Sequence, residues 1–268
     1  AMGWAVPSEI AIREATDLAA FRGSLSLELD QRETLPSGER TRLQLSFGKH
    51  WIVHVAVERI GPVDSAAAIT RALILQKGWA CAHRSLPSGA RQVLSLYVPG
   101  DLIGYPPASS TSQEAGAYGH NVSTITETEV SEVGLDRLTE ALAMAPRLAR
   151  AMFWDAARAN AILEERLISL GRRNARGRTA HFYLELSVRL RSCGQGHASR
   201  FRCPLSQDLI SDALGLSAEH LNRVLKQLRI AGLLQVRKGW VEFVNRDALV
   251  RLADFDSDYL AANTDLAV

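Results

Sequence analysis

The spacing of apolar residues predicts a strand-rich first half and a mainly helical second half. Between residues 41 and 104, short apolar runs alternate with Gly and Pro, a pattern typical of strands joined by turns. Many short strands of this kind favour a sandwich or a barrel. We predict strands at residues 43–47, 51–57, 72–75, 92–98 and 122–133.

Helical spacing appears on both sides of these strands. Apolar residues near one face predict a short peripheral helix over residues 8–21. The longest predicted helix has Pro146 in its first turn and ends at Leu170, before Gly171. Another helix is predicted from about residue 174 to 191.

The long helix carries a continuous apolar seam. Steps of three and four residues place its members on one face, which suits packing against a second helix. We interpret the seam as a self-association surface; an ordinary core-facing stripe is the alternative. Phe153 and Trp154 form a second apolar face, expected to lie toward the β domain. The seam residues are Ala149, Met152, Ala156, Ala159, Leu163, Leu167 and Leu170.

The most informative segment contains two short helices and a hairpin. The first helix is predicted over 207–214 and is ended by Gly215, which can adopt a left-handed conformation. Ser217 is a suitable N-cap for a second helix over 218–230. Two helices on so short a turn form a helix-turn-helix, and the hairpin predicted at 233–244 makes it a winged one.

The second of these helices has one apolar face and one polar face. Glu219 and Arg223 lie on the polar face, where an arginine can donate two hydrogen bonds to guanine and a carboxylate can accept one from cytosine. An i, i+4 salt bridge between them is the alternative interpretation. The candidate DNA contacts are Ser206, Ser217, Glu219, His220, Asn222, Arg223, Lys226, Arg237 and Lys238.

Charge is sorted along the chain. The segment 146–251 holds 19 of the 31 basic residues and 9 of the 29 acidic ones, a net charge of +10. The remainder holds 12 and 20, a net charge of −8. Because Lys and Arg supply most nonspecific affinity for nucleic acid, a polyanionic partner is predicted for the second half only.

Composition excludes several classes of protein. The 268 residues are 47% hydrophobic and 22% charged, which predicts about two globular domains rather than a disordered or fibrous chain. No apolar run approaches the roughly 18 residues of a membrane span and no secretory signal is apparent, so a cytoplasmic protein is expected. Three widely spaced cysteines, Cys81, Cys193 and Cys203, argue against a disulfide framework and a four-thiolate metal site.

Three runs of sequence resemble the CRP/FNR superfamily of bacterial transcription regulators. They are GWACAHRSLPSGARQVLSLYVPGDLIG at 78–104, ERLISLGRRNARGRTAHFYLEL at 165–186 and LSQDLISDALGLSAEHLNRVLKQLRIAGLL at 205–234. The resemblance implies an α+β fold: a jelly-roll-like β-roll sensor domain, a long dimerisation helix and a C-terminal winged helix-turn-helix. It also implies a homodimer that binds double-stranded DNA, with RNA polymerase as a possible partner and no enzymatic activity. The expected bounds are 1–136 for the sensor domain with its N-terminal helix, 137–171 for the dimerisation region, 172–255 for the DNA-binding domain and 256–268 for a tail.

The recognition helix resembles the FNR-like branch of that family. Ser217, Glu219, Asn222 and Arg223 stand at the places of the family's Ser, Glu and Ser-Arg or Gly-Arg pair. Ala218 replaces the base-reading Arg of the cyclic-AMP receptor type, which implies pseudo-palindromic half-sites like TTGA rather than GTGA. Asn222 in place of Ser leaves the outer base open.

The sensor half departs from the family pattern. Members that bind cyclic nucleotide carry an Arg-Ser or Arg-Thr pair for the phosphate, whereas residues 92–136 contain neither Lys nor Arg. Burial of an unpaired phosphate is unfavourable, so control by cyclic nucleotide is not expected. The iron–sulfur branch needs a cysteine cluster that this sequence lacks. No cofactor is predicted, and the effector is left open.

The segment 39–77, longer than the family's ordinary β-roll, leaves other interpretations open. His50, His54 and Glu58 lie on one face of a strand or a helix and could hold a metal ion in a β-barrel enzyme with an accessory basic domain. Separate surface or core residues are the simpler interpretation, because no fourth ligand is visible. The sensor half could also be a protein-interaction module beside an intact DNA-binding half.

Overall fold

A computed structural model describes residues 71–103 and 121–260, together with the backbone of five strands between residues 11 and 61. The described strands of the first half form three antiparallel sheets, and the second half is mainly helical. The predicted α+β fold, with an N-terminal sheet domain and a C-terminal helix-turn-helix, is confirmed. The domain bounds given above stay predictions.

The elements follow in chain order. The strands are β1 (Ala11–Glu14), β2 (Ser26–Leu29), β3 (Arg42–Phe47), β4 (Trp51–Ala56), β5 (Arg59–Gly61), β6 (Arg71–Lys77), β7 (Ala80–Ser85), β8 (Arg91–Tyr97), β9 (Leu102–Ile103), β10 (Asn121–Thr124), β11 (Glu129–Gly134), β12 (Arg200–Arg202), β13 (Leu234–Arg237) and β14 (Trp240–Phe243). The helices are α1 (Leu135–Met144), α2 (Pro146–Arg172), α3 (Ala175–Ser192), α4 (Gln207–Leu214), α5 (Ala218–Ile230) and α6 (Arg246–Ala253), followed by a 3-10 turn at Asp258–Leu260.

Each sheet is built from antiparallel neighbours. The strand orders in the first half are β1-β4-β3-β2, β10-β7-β8 and β5-β11-β6-β9. The order in the second half is β12-β14-β13. Gly78 precedes β7 at φ +88°, and a Cβ there would lie 2.1 Å from the carbonyl oxygen of Glu127. Only glycine therefore fits where the β6–β7 turn meets the segment before β11.

The N-terminal helix expected over residues 8–21 is wrong where the structure describes this segment. Ala11–Glu14 form β1, which pairs with β4 from Ala11 opposite His54 to Glu14 opposite Trp51. A few apolar residues with helical spacing do not distinguish a helix from a strand in so short a segment. The ladder to β4 supplies hydrogen bonds that the local sequence does not reveal.

The long helix α2 begins at Pro146 as predicted but extends past its predicted end. It continues through Gly171 to Arg172, and the chain becomes extended only at Arg173, with φ −79° and ψ +139°. A glycine inside a helix costs only about 1 kcal/mol relative to alanine, so it does not by itself end a helix.

One apolar core joins the β10-β7-β8 sheet, called the sensor sheet below, to the helices of the second half. Leu96 of β8 and Trp79, just before β7, belong to the same buried cluster as Phe182 of α3 and Leu214 of α4. Two contacts of β8 with α4 lie at its edge: the Arg91–Asp212 ion pair at 2.7 Å, and the Gln92 amide, which donates to the Ala213 carbonyl at 3.5 Å. The helix-turn-helix is therefore packed directly on the sensor sheet.

A buried network of charged side chains also holds the sensor sheet against helices α2 and α3. The Arg189 guanidinium on α3 donates to the Leu96 carbonyl at 2.6 Å and to the Asp101 carboxylate at 2.7 Å. Arg158 on α2 lies 3.4 Å from the same carboxylate. Burial disfavours the charged form of Arg189, but the carboxylates of Asp101 and Glu185 outweigh it and raise its pKa. Arg189 therefore stays charged and holds the turn before β9 against α3.

Candidate nucleic-acid interface

Helices α4 and α5 form the predicted helix-turn-helix, and local caps define its turn. The Ser206 hydroxyl oxygen accepts a hydrogen bond from the Leu209 N–H at 3.2 Å at the start of α4. Gly215 ends α4 in the left-handed region at φ +59°. The Ser217 oxygen accepts from the His220 N–H at 3.2 Å and begins α5. Both serine hydroxyls still have a hydrogen to donate, which a phosphate oxygen can accept.

The rotation of α5 is fixed by its apolar face. Leu221, Val224 and Leu228 are buried in the core, so the opposite face of the helix points outward. That outward face carries polar groups able to reach base edges. Its members are Glu219, Asn222, Arg223 and Lys226, all exposed, beside the half-buried His220.

The alternative role for Glu219 and Arg223 as a salt-bridged pair is not seen. The two side chains lie one helical turn apart, yet neither forms an ion pair or a hydrogen bond with another residue that the structure describes. Their hydrogen-bonding groups are therefore free for an external partner. Their assignment as base-reading residues stays a prediction.

The wing is a tight hairpin of β13 and β14. Lys238 and Gly239 occupy its turn at φ +50° and +76°, the positive values that a two-residue hairpin turn requires. Arg237 pairs with Trp240 across the hairpin. Arg237 and Lys238 are both exposed at the tip, where they can reach a phosphate backbone.

The third strand of the wing sheet was missed in the sequence. Phe201 is buried in β12 between the exposed side chains of Arg200 and Arg202. This single alternation was the only local signal, and three residues are too few to identify a strand. The strand brings two further basic residues to the wing.

An arginine between α2 and α3 fixes the half that contains the helix-turn-helix to the end of the long helix. The Arg173 guanidinium donates to the Glu165 carboxylate at 2.9 Å and to the Ser169 hydroxyl at 2.8 Å. It also donates to the Ala253 carbonyl at the end of α6, at 3.1 Å. Arg173 belongs to a cluster of basic residues with Arg172, Arg176 and Arg178, but it serves the domain junction rather than the solvent-exposed basic surface.

The exposed face of α2 includes the predicted seam. Leu163 is 44% exposed, Leu167 72% and Leu170 37%. The remaining seam residues, Ala149, Met152, Ala156 and Ala159, are half-buried. This exposure contradicts a core-facing stripe at the three leucines and leaves an apolar surface for a partner helix.

The second apolar face predicted on α2 is wrong at Phe153, whose side chain is 77% exposed. Trp154 is half-buried, and the Arg158 guanidinium lies 5.4 Å from its ring centroid. Successive helical residues point about 100° apart, so neighbouring aromatic residues need not share one environment.

The candidate metal site cannot be assembled from the residues described. His54 lies in β4, known here by its backbone, and His50 and Glu58 lie outside the described residues. Within the described ranges, no group of three or more His, Cys, Asp or Glu residues is arranged to hold a metal ion.

The three cysteines are free thiols. Cys81 and Cys203 are buried and Cys193 is half-buried. Burial raises the pKa of Cys193 and of Cys203 to about 11, so both thiols are protonated at neutral pH and are poor nucleophiles.

Of the helices in the described ranges, none is long and apolar enough to span a bilayer.

Comparison with known proteins agrees with this geometry. Residues 177–252 match the family of Crp-like helix-turn-helix domains. The chain is 32% identical over 160 residues to the nitrogen fixation regulation protein FixK of Rhizobium meliloti, covering 58% of this chain and 64% of that protein. It is 27% identical over 165 residues to the transcriptional activator protein FnrA of Stutzerimonas stutzeri, covering 62% and 65%. The chain thus spans just under two thirds of the length of these relatives.

A solved structure shows the same architecture over a larger share of the chain. The structure of FixK2 from Bradyrhizobium japonicum superposes with a TM-score of 0.60 at 26% sequence identity. The match covers 72% of this chain and 90% of that one. FnrA is named a transcriptional activator and FixK a regulation protein, and the enzyme alternative is not supported.

Proposed function

Because the chain belongs to the CRP/FNR superfamily of transcription regulators, we propose that it binds double-stranded DNA as a homodimer and regulates transcription. The observation that carries the proposal is the polar face of α5. Arg223 and Glu219 are exposed and unpaired there, on a helix whose apolar side is fixed in the core. Such a helix fits the major groove of B-DNA.

The homodimer is proposed from the exposed leucines of α2. A two-fold axis along this helix would place two copies of α5 on one side of the dimer. Recognition helices in such dimers read half-sites about one turn of DNA apart. Once bound, the regulator has RNA polymerase as a possible protein partner.

Random-site selection with the purified full chain tests this function. We expect enrichment of a pseudo-palindrome with TTGA-like half-sites whose centres lie about 10 base pairs apart. The double variant Glu219→Ala, Arg223→Ala is the control and should no longer enrich the G·C pair of the half-site, because both groups proposed to read that pair are absent. Lack of any enriched sequence with the unaltered protein, at low and at moderate salt, would contradict the proposal.

We also propose that cyclic AMP does not control this regulator. Residues 92–136 provide no Lys or Arg to pair with the cyclic phosphate. Calorimetric titration of the full chain with cyclic AMP should therefore show no saturable heat at micromolar ligand. Stoichiometric micromolar binding would show that a cation from elsewhere in the chain completes the site.

A further inference from the structure

A cleft of about 470 Å³ lies where the sensor sheet meets the wing. One wall comes from the first half of the chain and includes Trp79, just before β7. The other wall comes from the segment after α3, from β12 and from Trp240 of the wing. Its volume lies within the range of about 300–1,000 Å³ typical of small-molecule sites.

The floor of the cleft is apolar. Trp79 and Phe201 are buried there, while Trp240 is 44% exposed at the mouth. Gly196 also lines the cleft, and a Cβ on it would lie 3.2 Å from the Cβ of Phe201. Gly196 therefore lets the backbone pack closely against Phe201 at this part of the cleft.

The rim of the cleft is cationic. Arg200 and Arg202 are exposed on β12, and the Arg200 guanidinium lies 5.5 Å from the ring centroid of Trp240. Glu242 stands opposite Arg200 across the strand pair, but no ion pair joins Arg200 to any residue that the structure describes. The described lining residues include no acidic side chain. The cleft thus offers uncommitted positive charge beside aromatic surface.

We propose that this cleft binds a small aromatic carboxylate. The ring would pack on the apolar floor, where aromatic faces give favourable contacts. The carboxylate would accept hydrogen bonds from Arg200 and Arg202, because a guanidinium fork matches both oxygens of a carboxylate. A ligand so placed contacts both halves of the chain and would join the sensor sheet to the wing.

Another use of Arg200 and Arg202 is contact with DNA phosphates, which need cations but no aromatic floor. The two uses differ in what the tryptophan contributes. A carboxylate ligand requires both the charge of Arg200 and the ring of Trp240, whereas a phosphate contact requires the charge alone.

Calorimetry on the full chain without DNA tests the site directly. The probes are indole-3-acetate, 2-naphthoate and benzoate. Indole-3-acetamide is the uncharged analogue of indole-3-acetate. We expect at least one acid to bind with a Kd below about 1 mM, and the acetamide to bind at least about tenfold more weakly than indole-3-acetate. Arg200→Gln should weaken binding of the acid by about tenfold and reduce the preference for the acid over the acetamide, with Arg202 supplying what preference remains. Trp240→Leu should weaken acid and amide alike.

The exposed Arg251 on α6 lies outside the cleft, so Arg251→Gln is the matched control and should leave binding unchanged. Circular dichroism and a melting curve establish that each variant is folded. Three results would overturn the proposal: no saturable binding of any acid, equal binding of acid and amide, or unchanged acid binding in Arg200→Gln. In the last case, weaker DNA binding by that variant would assign the arginine to phosphate contact. Because ligand binding is read without DNA, failure here leaves the proposed function untouched.

Discussion

Replacement of Leu163 by Glu is expected to convert the dimer into a monomer and to abolish specific DNA binding. Leu163 lies in the middle of the α2 seam and is 44% exposed in the single chain. In a two-fold pair of helices, a residue near the axis faces its own copy. The variant would bury two like charges without a partner, which costs several kcal/mol, in place of two leucines worth about 1.5–3 kcal/mol each.

Light scattering of the purified variant measures this change, and a gel-shift assay measures DNA binding. Ala157→Glu is the matched control, because Ala157 is exposed on the same helix but points about 120° away from Leu163. It adds the same charge and should leave the dimer intact. A Leu163→Glu protein that keeps the dimer mass would show that the seam is not the dimer interface. Leu167→Glu, at the 72% exposed seam position one turn later, is a second test of the interface and should also yield a monomer.

The helix-turn-helix could be predicted from the sequence because its determinants are local. Gly215 is followed within two residues by the cap Ser217, and both act as their residue types predict. The apolar spacing that buries Leu221 and Val224 also fixes the outward face. A segment whose turn, caps and periodicity agree leaves little for tertiary structure to decide.

Other features could not be predicted, because they depend on contacts between distant segments. Asp101 and Arg189 are 88 residues apart, and only the packed fold makes them partners. Residues 11–14 form a strand because β4 lies beside them. Arg172 and Arg173 are neighbours of the same residue type, yet Arg172 is exposed whereas Arg173 turns inward and forms hydrogen bonds to residues of α2 and α6. The cleft beside Trp79 likewise exists only where residues of the first half of the chain meet residues 190–240 of the second.

Replacement of Arg223 by Ala is expected to weaken binding to the selected site by about 1–3 kcal/mol per half-site. The dimer reads two half-sites, so the total loss is about 2–6 kcal/mol, or roughly 30-fold to 10⁴-fold in Kd. The physical reason is loss of a guanidinium that donates two hydrogen bonds to one guanine. Because Arg223 is exposed and unpaired, its removal should leave the free energy of unfolding nearly unchanged.

Fluorescence anisotropy with a panel of singly substituted sites separates base reading from phosphate contact. Arg223→Ala should lose its preference at one G·C pair while keeping the other preferences. Lys238→Ala is the comparison, because Lys238 is exposed at the tip of the wing, where a phosphate contact carries no sequence information. It should weaken binding to every site about equally and reduce the dependence on salt. If Arg223→Ala also weakens every site equally and keeps the consensus, then Arg223 contacts the backbone and the polar face of α5 does not read bases through it.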